Sequence, residues 1–320
     1  MPLFLIAIAT TVVLAALSLS VGVADVSLAV LFSSGADEAA TRVMLVSRLP
    51  RTLALVLAGS SLSIAGLVMQ MIVRNRFVEP STTGTSESAA LGFLVATLLV
   101  PGWPVMAKMA IAAGFALAGT LLFLRILKFV PLRDVVLVPL VGLMLGGVIG
   151  AVATFLAYRF NLLASLLAWG MGDFSGVLRG RYELLWVGLA GTVAAYLAAD
   201  RFTVAGMGRE FSTNLGTNYE RVMLVGLAIV SVVAAACLVS VGTIPFLGLI
   251  VPNLVSLAIG DNMRRSLPWV ALGGAAFVLA CDIAGRLLRH PYEIPLSVIV
   301  GLIGSGLFIW MLLRKRTSGA

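Results

Sequence analysis

Charge is scarce in this sequence. Acidic and basic residues together make up 11% of its 320 positions, against about 25% in an ordinary soluble domain. A chain so poor in charge cannot cover a globular fold with polar surface. Its 60% apolar content and mean hydropathy of +1.09 place it in a lipid bilayer instead. Histidine occurs once, at His290, and cysteine twice, at Cys237 and Cys281, both inside apolar runs. These shortages argue against a histidine-based metal or catalytic cluster, a CxxC metal site and a disulfide framework. No G-x-x-x-x-G-K-[ST] loop occurs, so any ATP this protein uses is held by another chain. Paired intramembrane acids are missing too, with Asp282 the one candidate. An ion-coupled secondary carrier needs such acids, and an intramembrane enzyme needs a nucleophile with its base, so both classes fit poorly.

What the sequence has in abundance is long apolar runs. The stretch from Arg48 to Gly92 organises them. Two arginines bracket Leu49-Pro50, an apolar run follows from Thr52 to Val73, and Arg74-Asn75-Arg76 stops it before Pro80 and a cluster of small polar residues. A bilayer core takes about 20 helical residues, which this run supplies. Its Ser60, Ser61, Ser63 and Gln70 predict a helix packed among others rather than one facing lipid. Ten spans are expected in an all-α, polytopic membrane domain covering residues 1–320: 3–23, 50–73, 84–100, 104–124, 135–158, 184–200, 222–241, 244–260, 267–288 and 294–313. The run at 3–23 lacks a preceding basic residue and is too long for a signal core, so it reads as a retained span. The eighth span is short and holds Pro245 and Pro252, so it must be broken or sheltered by neighbours.

A net charge of +8 would point to nucleic acid in a soluble protein; here it reads as basic loops and helix ends at the membrane faces, with no nucleic-acid partner. Counting Lys and Arg loop by loop puts the larger share inside when both termini are cytoplasmic, with Arg314-Lys315-Arg316 the firmest single vote. Residues 159–183 then form an external loop whose apolar patch, Leu162 to Met171, is too short to span. Residues 201–221, polar and punctuated by glycine, form the largest cytoplasmic surface and a docking site for a soluble partner. The second and seventh spans are each followed by a proline-containing segment rich in small residues, a faint internal echo of the kind repeated transporter halves show.

Several residues admit two readings. Gly142, Gly146 and Gly150 form a doubled GxxxG in the fifth span, and Gly301 and Gly304 lie in the tenth. Small residues at helical spacing serve ordinary intramolecular packing, or a subunit interface or path-lining surface. Arg48, Arg51 and Arg286 sit at external ends of spans, where arginines act as snorkelling anchors or as salt-bridge partners for the carboxylates of an external protein. Asp282 stands four residues before Arg286, which makes a local ion pair easy.

Three ordered motifs resemble one family. They are Arg48-Leu-Pro-Arg51 with Ala58-Gly59, Gly66, Gln70, Arg74-Asn75, Pro80 and Gly84; Gly242-Thr-Ile-Pro-Phe-Leu-Gly-Leu-Ile-Val-Pro252; and Asp282-Ile-Ala-Gly-Arg286 followed by Glu293-Ile-Pro295 and Gly301. Together they resemble the permeases of bacterial ABC importers for iron–siderophore, haem and vitamin B12, and most closely the catecholate-siderophore branch. The resemblance implies a type II permease fold of ten spans, in the bacterial inner membrane, and a complex of two identical or related permeases, two cytoplasmic ATPases that hold ATP and Mg, and an external substrate-binding protein. It implies no cofactor, metal or catalytic residue on this chain. It also implies that Arg48, Arg51 and Arg286 dock the binding protein, and that Gly208, Arg209, Glu210, Leu215 and Gly216 belong to the segment resting on the ATPase. Gly142, Gly146, Gly150, Gly301 and Gly304 would then line the pathway at the subunit interface. Three positions depart from the pattern: Arg76 where proline is usual, Asn253 for histidine and Ser256 for arginine.

Overall fold

The computed structural model describes residues 2–22, 38–130, 136–180, 182–289 and 292–317. Arg133, His290 and the side chains of Arg314, Lys315 and Arg316, all used in the sequence reading, lie outside that description. The described residues form an all-helical bundle, in keeping with the apolar runs. In chain order the helices are α1 (Pro2–Ser20), α2 (Glu38–Val43), α3 (Leu49–Val73), α4 (Thr85–Leu99), α5 (Val105–Leu127), α6 (Leu137–Arg159), α7 (Leu163–Gly170), α8 (Leu185–Leu197), α9 (Ala199–Gly206), α10 (Arg209–Asn214), α11 (Tyr219–Val241), α12 (Leu247–Ile259), α13 (Met263–Leu287) and α14 (Leu296–Thr317). A π-turn at Met44–Arg48 joins α2 to α3 into one 36-residue helical run.

Every expected span falls on a helix, but the helices are unequal. Six are long and apolar enough to cross a membrane, and the pair Tyr182–Leu197 and Ala199–Gly206, bent by 66°, makes a seventh if taken as one span. The helices Thr85–Leu99 and Leu247–Ile259 and the apolar part Leu296–Met311 are shorter. At 1.5 Å per residue, α4 and α12 reach roughly 20 Å, well short of a hydrocarbon core of about 30 Å. The internal echo has a physical form here. Long α3 and long α11 each lead through a connector into one of these short helices, the first connector holding a short 3-10 turn at Pro80–Thr82, and each short helix starts from a left-handed residue, Gly84 (φ 75°) and Phe246 (φ 62°).

Helix α3 is the centre of the bundle. It is buried along most of its length, including Ser60, Ser61, Ser63 and Gln70, while α1 exposes Leu3, Leu5, Ile6, Val12 and Val13. The Ser61 hydroxyl finds its partner on α3 itself, Oγ donating to Leu57 O at 2.6 Å, while the buried Ser63 Oγ has none among the described residues, so the helix's own carbonyls satisfy its polar side chains only in part. Apolar side chains gain little by leaving lipid for protein, so association rests on close backbone approach. At Gly59 a Cβ would meet the Gly274 carbonyl of α13 at 2.6 Å, and at Gly66 it would collide with the backbone of Gly248 at the start of α12. Substituting Gly66→Ala is therefore expected to destabilise the protein by about 1–3 kcal/mol through overpacking, read as a lower thermal unfolding midpoint in detergent. Gly114→Ala on α5, where nothing lies within 4 Å of the added carbon, should leave that midpoint unchanged or raised.

Candidate functional site

Arg48, Arg51 and Arg286 come together at one end of the bundle. Helix α1 ends there, and its last carbonyls have no partner within the helix. Arg48 donates to Leu19 O (2.8 Å) and Ser20 O (3.2 Å), and Arg286 donates to Ser18 O (3.0 Å), Val21 O (2.7 Å) and Ser18 Oγ (2.7 Å). Cations suit this position, because the carboxyl end of a helix carries partial negative charge. Asp282, on α13, pairs with Arg286 at 2.5 Å, as the four-residue spacing predicts, and also with Arg51 at 2.7 Å. Arg51 reaches on to Glu293 at 2.7 Å. Arg48, Arg286 and Asp282 are 7%, 5% and 3% exposed, while the Glu293 side chain is 27% exposed. The sequence admits these arginines as anchors or as salt-bridge partners; folding buries Arg48 and Arg286 against the end of α1 and pairs Arg51 with Asp282 and Glu293, with Arg51–Glu293 as the most accessible arm. The Glu293 pairing had a signal in the sequence, since Glu293 opens the Glu-Ile-Pro motif, but only the fold brings it to Arg51.

At the opposite end lies the segment with Gly208, Arg209, Glu210, Leu215 and Gly216. The two glycines bracket the one-turn-and-a-half helix α10, and both have left-handed backbone, φ 118° at Gly208 and φ 73° at Gly216. That explains their spacing, because other residues would be strained at these angles. Arg209 pairs with Glu220 at 3.0 Å on the surface. Leu215 is 59% exposed, and Phe211, four residues earlier and overlooked in the sequence, is 50% exposed. Two apolar side chains presented on one exposed segment mark a contact surface rather than a folded core. The same segment packs back on α3: a Cβ at Gly206 would meet Met71 Sδ at 3.1 Å, and one at Gly208 would meet the Arg74 guanidinium at 3.3 Å.

The glycine series divides. A Cβ on Gly142 would strike the Thr82 carbonyl, and one on Gly146 would lie 3.4 Å from Gly84 Cα, so these two seat α6 on the turn that starts α4. Gly150 has nothing within 4 Å, Gly301 only Pro245 at 4.0 Å, and Gly304 is pressed against Phe246 and Ile250 at 2.9 Å.

Two acids were missed. Asp282 is the one intramembrane candidate the sequence offers, but the fold also buries Glu79, 2% exposed, and half-buries Glu87 in the first turn of α4, with its Oε2 enclosed. In the sequence Glu79 sits among small polar residues outside any expected span and Glu87 near the start of the span 84–100; the connector 74–84 turns back into the bundle and carries Glu79 in. Glu79 is satisfied there, accepting from Phe246 N at 2.9 Å and Ser81 Oγ at 2.5 Å. A carboxylate so engaged lacks the freedom a coupling-ion site needs.

The three departures from the family pattern also converge. Asn253 Nδ2 donates to Arg76 O at 2.8 Å, Arg76 pairs with Asp261 at 2.5 Å, and Ser256 Oγ donates to the same carboxylate. Arg76 thus supplies Asp261 with the cation that Ser256 cannot. Its side chain is 45% exposed and Asp261 54%, so Arg76→Ala should change stability by less than about 1 kcal/mol. Asp282→Asn should cost about 3–5 kcal/mol, because it leaves two buried guanidiniums short of a counter-charge. Thermal unfolding of the two variants in detergent, side by side, checks the contrast.

Comparison with known proteins places these features. A family model described as the FecCD transport family matches residues 10–314. The chain is 48% identical over 305 residues to the petrobactin import system permease protein YclN of Bacillus subtilis, covering 95% of this chain and 96% of the relative. It is 43% identical over 313 residues to the petrobactin import system permease protein FatD of Bacillus anthracis, covering 98% and 91%. Among solved structures, a chain of a metal-chelate type ABC transporter in an inward-facing conformation superposes with a TM-score of 0.79 at 24% identity, covering 97% of this chain and 98% of that one. The chain belongs to the FecCD transport family, the multi-pass permease subunits of ABC importers, whose ATP hydrolysis is carried by separate subunits.

Proposed function

We propose that this protein carries a ferric siderophore of the catecholate type across the bacterial cytoplasmic membrane. The observation that carries the reading is the near full-length similarity to two petrobactin permeases. The sequence supports the division of labour. It holds no phosphate-cradling loop, so ATP and Mg sit on two cytoplasmic ATPase subunits, and a second permease, identical or related, completes the membrane part.

The two ends of the bundle take opposite roles. The Arg74 end faces the cytoplasm, and the segment 201–221 offers Phe211 and Leu215 to the ATPase. The end with Arg48, Arg51 and Arg286 faces outward toward the binding protein. Since Arg48 and Arg286 are committed to the end of α1, docking falls mainly to Arg51. Its outer partner Glu293 occupies the place that a carboxylate of the binding protein would take, and the two exchange on docking. A guanidinium can hold two carboxylates at once, which suits it to such an exchange.

A deletion strain should lose uptake of ferric petrobactin and regain it only when this chain and an intact ATPase partner are both supplied. Uptake of haem or cobalamin, with none of ferric petrobactin, would assign the permease to another cargo. In a binding assay with the purified complex, Arg51→Glu should weaken association of the binding protein by about tenfold or more. Glu293→Gln, which removes the competitor, should strengthen it; unchanged affinity in both variants would leave the arginine cluster with a purely structural role.

A further inference from the structure

The buried carboxylate of Glu79 does something that neither docking nor subunit assembly uses. Helix α12 starts inside the bundle, where its first amide groups have no partner within the helix. Glu79 fills that place from 167 residues away in sequence. It accepts from Phe246 N at 2.9 Å, while Leu249 N and Ile250 N turn back to Phe246 O at 3.1 Å and 2.9 Å and start the helix. The same side chain accepts from Ser81 Oγ at 2.5 Å and from the backbone of Thr82, while Glu79 N donates to Thr82 Oγ1 at 2.9 Å in a capping box. One carboxylate therefore caps two helical turns at once, its own Pro80–Thr82 turn and α12. Its hydrogen-bond partners Phe246 N, Ser81 Oγ and Thr82 N all donate to it, so a neutral amide in its place would turn its own N–H toward one or more of these donors.

The joint lies on a continuous line of packed groups. The segment Gly206–Gly208 rests on Met71 and Arg74 at the end of α3. Arg74 leads into the connector, where Asn253 of α12 donates to Arg76 O and Gln70 of α3 donates to Gly248 O at 3.1 Å. Beyond Glu79, Phe246 stacks on Phe308 of α14 with centroids 6.5 Å apart, and Phe77 meets the same ring edge-on at 5.8 Å.

We propose that Glu79 is a positioning residue of the transport cycle, whose carboxylate locks the 74–84 connector to α12 so that movement of the coupling segment reaches α12 and α14 as one unit. The inference rests on reading 201–221 as the ATPase-coupling segment. Contiguity alone does not establish energetic coupling, so the test separates coupling from folding.

The transporter, with its ATPase and binding protein, is reconstituted in proteoliposomes, and the ferric petrobactin moved per ATP hydrolysed is measured. Glu79→Gln should retain its ATPase subunits and its hydrolysis rate while that ratio falls about tenfold. Ser81→Ala, which removes one donor and keeps the charge, should lower the ratio by a smaller factor in the same direction. An unchanged ratio in Glu79→Gln overturns the proposal, as does a loss of transport matched by a loss of assembled complex. Should Glu79→Gln not assemble, an unchanged ratio in Ser81→Ala overturns it instead. Phe211→Ala is run in parallel: if it leaves ATPase retention and hydrolysis untouched, the coupling-segment reading fails, and the Glu79 result is still decided by its own ratio.

Discussion

Lipid offers apolar side chains nearly the same environment as the interior of this bundle, so burial alone cannot organise it. What organises it is how closely other backbones can approach α3. The absence of side chains at Gly59 and Gly66 lets α13 and α12 lie directly on that helix. From this the rest follows. With α12 held against α3, its exposed amides come within reach of Glu79, and with α13 held against α3, Asp282 comes within reach of Arg51. The charged contacts decorate an arrangement that the glycines permit.

The second constraint is that backbone polar groups inside an apolar bundle must find partners in the protein. Most of the unusual features here answer it. The last carbonyls of α1 are met by Arg48 and Arg286, the first amides of α12 by Glu79, and the hydroxyls of Thr83, Thr85 and Thr120 form a relay at the start of α4, with 2.8 Å and 2.7 Å between neighbours. Charged residues at these places are structural before they are functional. That changes the meaning of the outer arginines: a residue that caps a helix is free to bind a partner only through whichever arm is left accessible, and here that arm is Arg51 with Glu293.

The two short helices give the fold its transport character. A full span holds its own backbone bonds and can tilt as a rod. A half-span begins from a connector and depends on outside groups for its first turn, so its position is tied to whatever supplies them. Because the supplier for α12 is the connector that follows α3, and because the segment 206–208 packs on the end of α3, that end of the bundle and its interior share one set of contacts.

The sequence by itself determined the class of the protein, since scarcity of charge and a succession of long apolar runs point to a polytopic helical bundle, and three ordered motifs point to one permease family. It also determined the Asp282–Arg286 pair, because residues four apart on a helix meet whatever surrounds them. Only the tertiary structure decided which acids are buried. Glu79 looks like a loop residue until the connector folds inward, and Glu293 looks unattached until the segment after α13 lies beside Arg51. It likewise decided that Gly142 and Gly146 seat α6 within the chain, and that Arg76 and Ser256, far apart in sequence, share one carboxylate while Asn253 holds the Arg76 carbonyl. Periodicity and composition report on neighbours along a helix; contacts between residues more than a hundred positions apart depend on which backbones can come close, and that is settled only when the helices pack.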